Sequence, residues 1–341
     1  MALIALAADK GAPGVTTTAV ALAALWPRRV LLAETDPAGG DLVYRSVGEG
    51  GRPLDPGTGM LSLAATARRG IAAEQLWDHA QRVSGGLDVL VGLAASEQAG
   101  GLTGQWGALG RAFAELAQSP HQDAAADVLA DCGRLDAGSP LLALLPHAAV
   151  LLLVSRVRPE SIAHVRDRAA ALRAKLHGQG RGTAQLALPR IGVLLIADAQ
   201  SGGRIAGQVN EMLIASGSGS SVVGLIAEDA VGAEQLAGRR RGRLDRSLLV
   251  RSARKVVADL HQTYRAELVP ATPPAAYDGQ GPRFGQPFGR PPAPGQAPPH
   301  YGPPHYGPSP YGPSHEAPPN YGAPAPSAGP QTPHHGPGVA G

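Results

Sequence analysis

The 341-residue chain has a single cysteine, Cys132, which excludes an internal disulfide and suits a reducing compartment. No apolar run approaches the ~20 residues that span a bilayer. The start lacks the basic, apolar, small-residue order of an export signal. The expected compartment is therefore the cytoplasm, with peripheral contact at the inner face of the membrane as the variant. Lysine is also scarce. Of 30 basic residues only Lys10, Lys175 and Lys255 are lysine, an arginine bias of the kind GC-rich coding produces, as in actinobacteria. Each surviving lysine is the more informative for it. Charge is sparse in one region: residues 271–341 carry only Asp278, Arg283, Arg290 and Glu316.

That same region holds 22 of the 32 prolines, counted from Pro270, and repeats HYGPP, HYGPS and PYGPS without apolar periodicity. Such a segment cannot bury enough apolar surface to offset its ordering entropy, so residues 270–341 are expected to be a disordered tail. The folded part is then about 1–269. The net charge of +3 lies in it, because the four charges of the tail cancel. Its cations concentrate in 239–255, RRRGRLDRSLLVRSARK, eight against one aspartate. Over 246–268, Leu249, Ala253, Val256, Val257, Leu260, Tyr264 and Leu268 share one face of an expected helix. Such a helix packs on the sheet with a solvated basic face, or meets anionic lipid or nucleic acid.

Short apolar runs bounded by turn residues predict strands at 2–8, 29–34, 87–91, 127–131, 148–154, 191–197 and 222–227. Helical stretches are predicted at 15–26, 58–69, 72–82, 104–118, 160–177, 203–215 and 246–266. Strands that are apolar on both sides and alternate with helices imply an α/β, doubly wound, mostly parallel sheet covered on both faces. Ligands in such sheets bind beyond the carboxyl ends of the strands.

The first strand runs into DKGAPGVTT. Gly11 and Gly14 permit positive φ and close approach of a ligand. The helix that follows offers free N–H groups to an anion, and Thr16 stands where a phosphate-loop hydroxyl would hold Mg²⁺. A plain βα turn is the alternative, since the usual G-x-x-x-x-G-K-[ST] loop has lysine where this chain has Val15. The second strand ends on Glu34, Asp36 and Asp41, read either as solvated loop acids or as carboxylates near phosphate and Mg²⁺. The fourth ends on Asp131 with Gly133 two residues later, the pattern of a Walker B acid before a switch turn. Pro159 and Asp229 are expected to cap helix starts. A dinucleotide-binding oxidoreductase is disfavoured, because the first turn lacks G-x-G-x-x-G.

Taken in order, Lys10-Gly11-Ala12-Pro13-Gly14-Val15-Thr16, then Glu34-Thr35-Asp36-Pro37, then Asp131, the chain resembles the MinD/ParA family of deviant Walker A ATPases. These place division, chromosome-partition and pilus assemblies. Gly39-Gly40-Asp41-Leu42 is most similar to the CpaE-type branch. The resemblance implies a P-loop NTPase-like domain over 1–269, ATP and Mg²⁺ as cofactors, and a homodimer that recruits a protein of a division, partition or secretion machine. It implies a catalytic pair, Asp36 and Lys10, with Asp36 positioning water and Lys10 reaching the partner's nucleotide. It further implies a nucleotide set of Lys10, Gly11, Gly14, Val15, Thr16, Thr17, Asp131 and Asp229, and a metal set of Thr16, Asp36 and Asp131. Two positions depart from the family. Val15 replaces the loop lysine and Ala12 its second glycine. The family's base-recognising asparagine would fall near Asp198. A pseudo-ATPase scaffold that keeps fold and dimer surface without turnover is the alternative function.

Overall fold

The computed structural model describes residues 2–178 and 189–264. The predicted tail and Leu268 lie outside the described residues. Eight strands form one sheet: β1 (Leu3–Ala8), β2 (Val30–Glu34), β3 (Gln81–Arg82), β4 (Asp88–Leu90), β5 (Asp127–Arg134), β6 (Val150–Arg156), β7 (Arg190–Ala197) and β8 (Ser221–Ala227). Their order is β3-β4-β2-β5-β1-β6-β7-β8, parallel throughout except for β3 against β4.

The continuous apolar strands follow from having two faces to cover. Along β1, Leu3, Ala5 and Ala7 enter one apolar cluster, while Ile4, Leu6 and Ala8 enter the other, the period-2 alternation of a pleated strand. The first cluster is closed by α3 (Met60–Ala67), α4 (Trp106–Leu116), α5 (Pro159–Gly178) and α6 (Gly202–Ala215). The second is closed by α1 (Val15–Ala24) and α8 (Leu248–Thr263). Leu249, Ala253, Val256, Val257, Leu260 and Tyr264 are all buried there, so α8 turns the described part of its expected apolar face to the sheet. Ser247 caps α8, its hydroxyl accepting from the Val250 N–H at 3.1 Å.

One short helix was not anticipated, α2 (Leu42–Arg45), while the helix start expected at Asp229 is that of α7 (Ala230–Leu236), with Asp229 as its cap. One expected helix is corrected. Residues 72–82 form a 3₁₀ segment, Ala73–His79, followed by β3. Only Ala73 and Leu76 of that segment are buried, too few to hold an α-helix to the sheet. Gly85 and Gly86, both at positive φ, turn the chain so that Arg82 pairs with Asp88. Among the described residues no helix is long and apolar enough to cross a membrane.

The topology fixes where a ligand can sit. From β1 the chain builds outward on one side through β5 and β2 and on the other through β6 to β8. The carboxyl end of β1 is therefore the point where strand order reverses, the place where open α/β sheets leave a crevice.

Candidate functional site

The chain leaves β1 at Ala8 and reaches α1 through Asp9–Gly14. Asp9 ties the loop to α5 by an ion pair with Arg168, with His164 3.8 Å away. Gly11 (φ 74°) and Gly14 (φ 107°) both take the left-handed conformation, so two glycines are required by backbone shape. Gly14 is the N-cap of α1, no side chain caps the helix, and its first turn has no acidic residue. The N–H groups and positive dipole end of α1 are thus left for an external anion. Lys10 is exposed on the loop, while Pro13 is buried under it. Val15 is only 6% exposed and belongs to the apolar cluster beneath α1.

The acids converge from two neighbouring strand ends. Thr35, buried, stitches them together: its N–H (2.7 Å) and its hydroxyl (2.9 Å) both donate to the Asp131 carbonyl. Asp131 is 1% exposed. Its Oδ1 accepts from the Gly133 N–H at 3.0 Å, whereas Oδ2 is buried without a hydrogen-bond partner. Burial pushes its pKa up to about 6. The Thr16 hydroxyl, the Gly133 N–H and the Arg45 charge favour the ionised form, and Asp36 opposes it. Asp36 is half-buried, accepts from the Ala38 N–H at 2.8 Å, and is likewise raised, chiefly by burial.

The expected trio Glu34, Asp36 and Asp41 does not form one cluster. Glu34 is 2% exposed and points away from solvent, whereas Asp41 is exposed. The Glu34 carboxylate accepts from the N–H groups of Asp41 (2.8 Å), Leu42 (3.1 Å) and Gly92 (2.8 Å). Burial outweighs these bonds, and with the nearby Asp131 charge it pushes Glu34 up to about 7. Glu34 is thus a fastener for the 36–42 loop. A Cβ at Gly40 would stand 2.2 Å from its Oε2, which explains a glycine there.

Gly133 is held for both shape and space. Its φ is 54°, and an added Cβ would lie 1.7 Å from Asp36 Oδ2. Gly11 has a similar φ with nothing within 4 Å of such a Cβ. Gly11→Ala is therefore expected to cost about 1–2 kcal/mol of backbone strain, and Gly133→Ala distinctly more because Asp36 must also move. Urea denaturation of both variants checks this, and equal losses would show that Asp36 yields freely.

Across α1 from the acids, a cleft of about 170 Å³ is lined by Gly14, Thr17, Arg156, Ala227, Glu228 and Asp229, among others. Arg156 and Glu228 form an ion pair at it. Asp229 caps α7, accepting from Gly232 N–H at 2.8 Å and also from Leu249 N–H at 3.2 Å. Asp198 is not brought here. It is exposed, caps its own turn by accepting from Gln200 and Ser201 N–H, and lines a separate groove along β8. The sequence reading missed Arg45, whose Nη2 donates to Thr17 Oγ1 at 3.2 Å. It had no cue for it, since the contact spans 28 residues and arises from a four-residue helix.

No cluster of three or more His, Cys, Asp or Glu that could hold a metal occurs among the described residues. That is compatible with Mg²⁺ at a phosphate site, where protein supplies one or two oxygens and phosphate and water the rest. Thr16 Oγ1 and the unpartnered Asp131 Oδ2 are the oxygens that fit.

No protein-family model matches the chain, and no curated protein matches it. Solved structures do. A ParA family ATPase from Chlorobium tepidum is 16% identical with a TM-score of 0.55, covering 75% of this chain and 98% of that one. Apo McdA from Cyanothece is 14% identical with a TM-score of 0.53, over 75% of this chain and 99% of that one. A Cyanothece McdA variant in complex with ATP is 15% identical with a TM-score of 0.53, over 76% of this chain and 96% of that one. The described residues have the P-loop NTPase-like fold of the ParA/MinD ATPases.

Proposed function

We propose that the chain is a nucleotide-dependent switch of the MinD/ParA type. It binds ATP with Mg²⁺ at the α1 N-terminus and dimerises face to face to position a division, partition or pilus and secretion assembly. The observation that carries this reading is the uncapped N-terminus of α1, beside a buried Asp131 oxygen that lacks a partner. In the roles the resemblance implies, the loop from Lys10 to Thr17 with Asp131 and Asp229 holds the nucleotide, and Thr16, Asp36 and Asp131 hold the metal. Asp36 orients water. Asp229 keeps the cleft in shape by capping α7 and tying it to α8. Mg²⁺, when bound, would neutralise phosphate charge there.

Val15 favours a second reading, a scaffold that binds without turnover. The loop lysine that stabilises a transferring phosphoryl group is absent, and the side chain in its place is turned into the core. Contact of the basic segment 239–266 with an anionic membrane or nucleic acid is a subordinate proposal. With the apolar face of α8 buried, its exposed charges and Leu248 remain for such a contact.

Calorimetric titration of the full chain with ATP, with and without Mg²⁺, tests the main reading, and the absence of binding in both would overturn it. Turnover is expected to be very slow. Ordinary family rates would remove the scaffold reading. Sedimentation velocity with and without Mg-ATP tests Lys10. Lys10→Ala is expected to keep the fold but lose nucleotide-promoted dimer, and Lys10→Arg to restore it only in part, because a planar fork does not replace a compact charge. A Lys10→Ala variant that dimerises like the wild type would remove that role.

A further inference from the structure

Three carboxylates, Glu34, Asp36 and Asp131, lie close enough to raise one another's proton affinity, either directly or through Asp131. A polyphosphate seated beside them adds more negative charge, and Val15 supplies no cation against it. Lys10 is placed elsewhere: it lines a 280 Å³ cleft with Arg156 and Arg158 on the α5 side of the loop.

Arg45 is the cation on the acid side. It is half-buried in α2, which the Glu34 fastener docks through the Leu42 N–H. Its guanidinium donates to Thr17 Oγ1, and its charge reaches Asp131. It makes no ion pair among the described residues. Its charge also reaches Glu234, but that carboxylate is already bonded by Arg239 at 2.8 Å. A guanidinium has five N–H donors, so most of Arg45's capacity is uncommitted at a half-buried position. Thr17 faces two spaces at once, the small niche shared with Arg45 and Ser46 and the 170 Å³ cleft beyond Gly14. The guanidinium therefore stands one hydroxyl away from the cleft.

We propose that Arg45 is the phosphate-binding cation of this site, supplying from α2 the positive charge that the loop lacks at Val15. The inference rests on the nucleotide reading above. It deepens that reading by naming a residue outside the phosphate loop. A planar fork suits a phosphate edge, which two parallel N–H bonds can grip. The uncapped α1 terminus and the unpartnered Asp131 oxygen mark the same spot from the other side.

The test uses the full chain, with Mg-ATP as probe, in wild type, Arg45→Ala and Arg45→Gln. Gln keeps a donor for Thr17 and removes the charge, so a loss in both variants reports charge and not the Thr17 contact. Arg204→Ala, an exposed cation on α6, controls for net charge. Both Arg45 variants are expected to weaken binding roughly ten- to a hundredfold, the range of a charge-assisted hydrogen bond. Their affinity should also depend less steeply on NaCl, and Arg204→Ala should bind like the wild type. Arg45→Gln binding within about twofold of wild type would overturn the proposal while leaving the nucleotide reading intact. Absence of wild-type binding would overturn both.

Discussion

Asp127→Ala is expected to destabilise the protein by about 3 kcal/mol, a large share of the ~5–15 kcal/mol that holds a domain together. Asp127 is fully buried at the start of β5 and gathers three donors from outside its strand. Oδ1 accepts from the Ala2 N–H at 2.5 Å, and Oδ2 accepts from Trp26 Nε1 and Arg28 Nε, each at 2.8 Å. One carboxylate thus joins the entry to β1, the exit of α1 and the entry to β5. Trp26 in turn lies against His261 of α8, ring centroids 4.7 Å apart. Removing the carboxylate leaves the buried indole and the Ala2 N–H without an acceptor, and an unmet buried donor costs about 1–3 kcal/mol. The Arg28 contribution is smaller, because its side chain is 25% exposed and screened by water. Asp127→Asn keeps an acceptor in place and should lose clearly less. Urea denaturation of both variants checks the ordering, and a loss below 1 kcal/mol for alanine would mean that water reaches these donors.

The reach of sequence reasoning here follows from which interactions are local. The seven main strands were legible because a strand covered on both faces must be apolar at every position, as β1 is. So was the shape of the turn from β1 into α1, since Gly11 and Gly14 stand where the backbone needs positive φ. The convergence of Thr16 with Asp36 and Asp131 follows from strand order, which places β1, β5 and β2 side by side. What stayed hidden was short or distant. A helix of four residues, α2, is too brief to show a period, and it carries Arg45. The duty of Glu34 depends on Gly92, 58 residues away, and nothing in Glu-Thr-Asp-Pro distinguishes a buried fastener from an open carboxylate. The segment 72–82 misled because its alanines and Leu76 mimic a helical face that, in the fold, has little to bury against.

Stability is expected to fall as the pH rises from about 5 to 8, and the cause lies in the same acids. Glu34 is raised from 4.5 to about 7 and Asp131 from 3.8 to about 6, in both cases chiefly by burial. Between the unfolded and folded values the native protein keeps protons that the unfolded chain has released, so raising the pH through that window favours unfolding. For Glu34 alone the rise corresponds to about 3 kcal/mol, at roughly 1.4 kcal/mol per tenfold change in proton affinity. Below about pH 4.5 the contribution is fully present, and above pH 7 it is lost. Denaturant midpoints at pH 5, 6, 7 and 8 measure this slope directly, and a flat or rising profile would show that water or a counter-ion solvates these carboxylates. Asp131→Asn removes one buried charge while keeping the side chain's shape. It is expected to raise stability at pH 8 by about 2 kcal/mol and to flatten the profile below pH 6 or so. The same variant should lose the Mg²⁺ dependence of ATP binding, because the oxygen left without a partner in Asp131 is the one that fits the metal. A variant both more stable at high pH and unable to use Mg²⁺ would show that this buried charge is kept for binding at a cost to the fold.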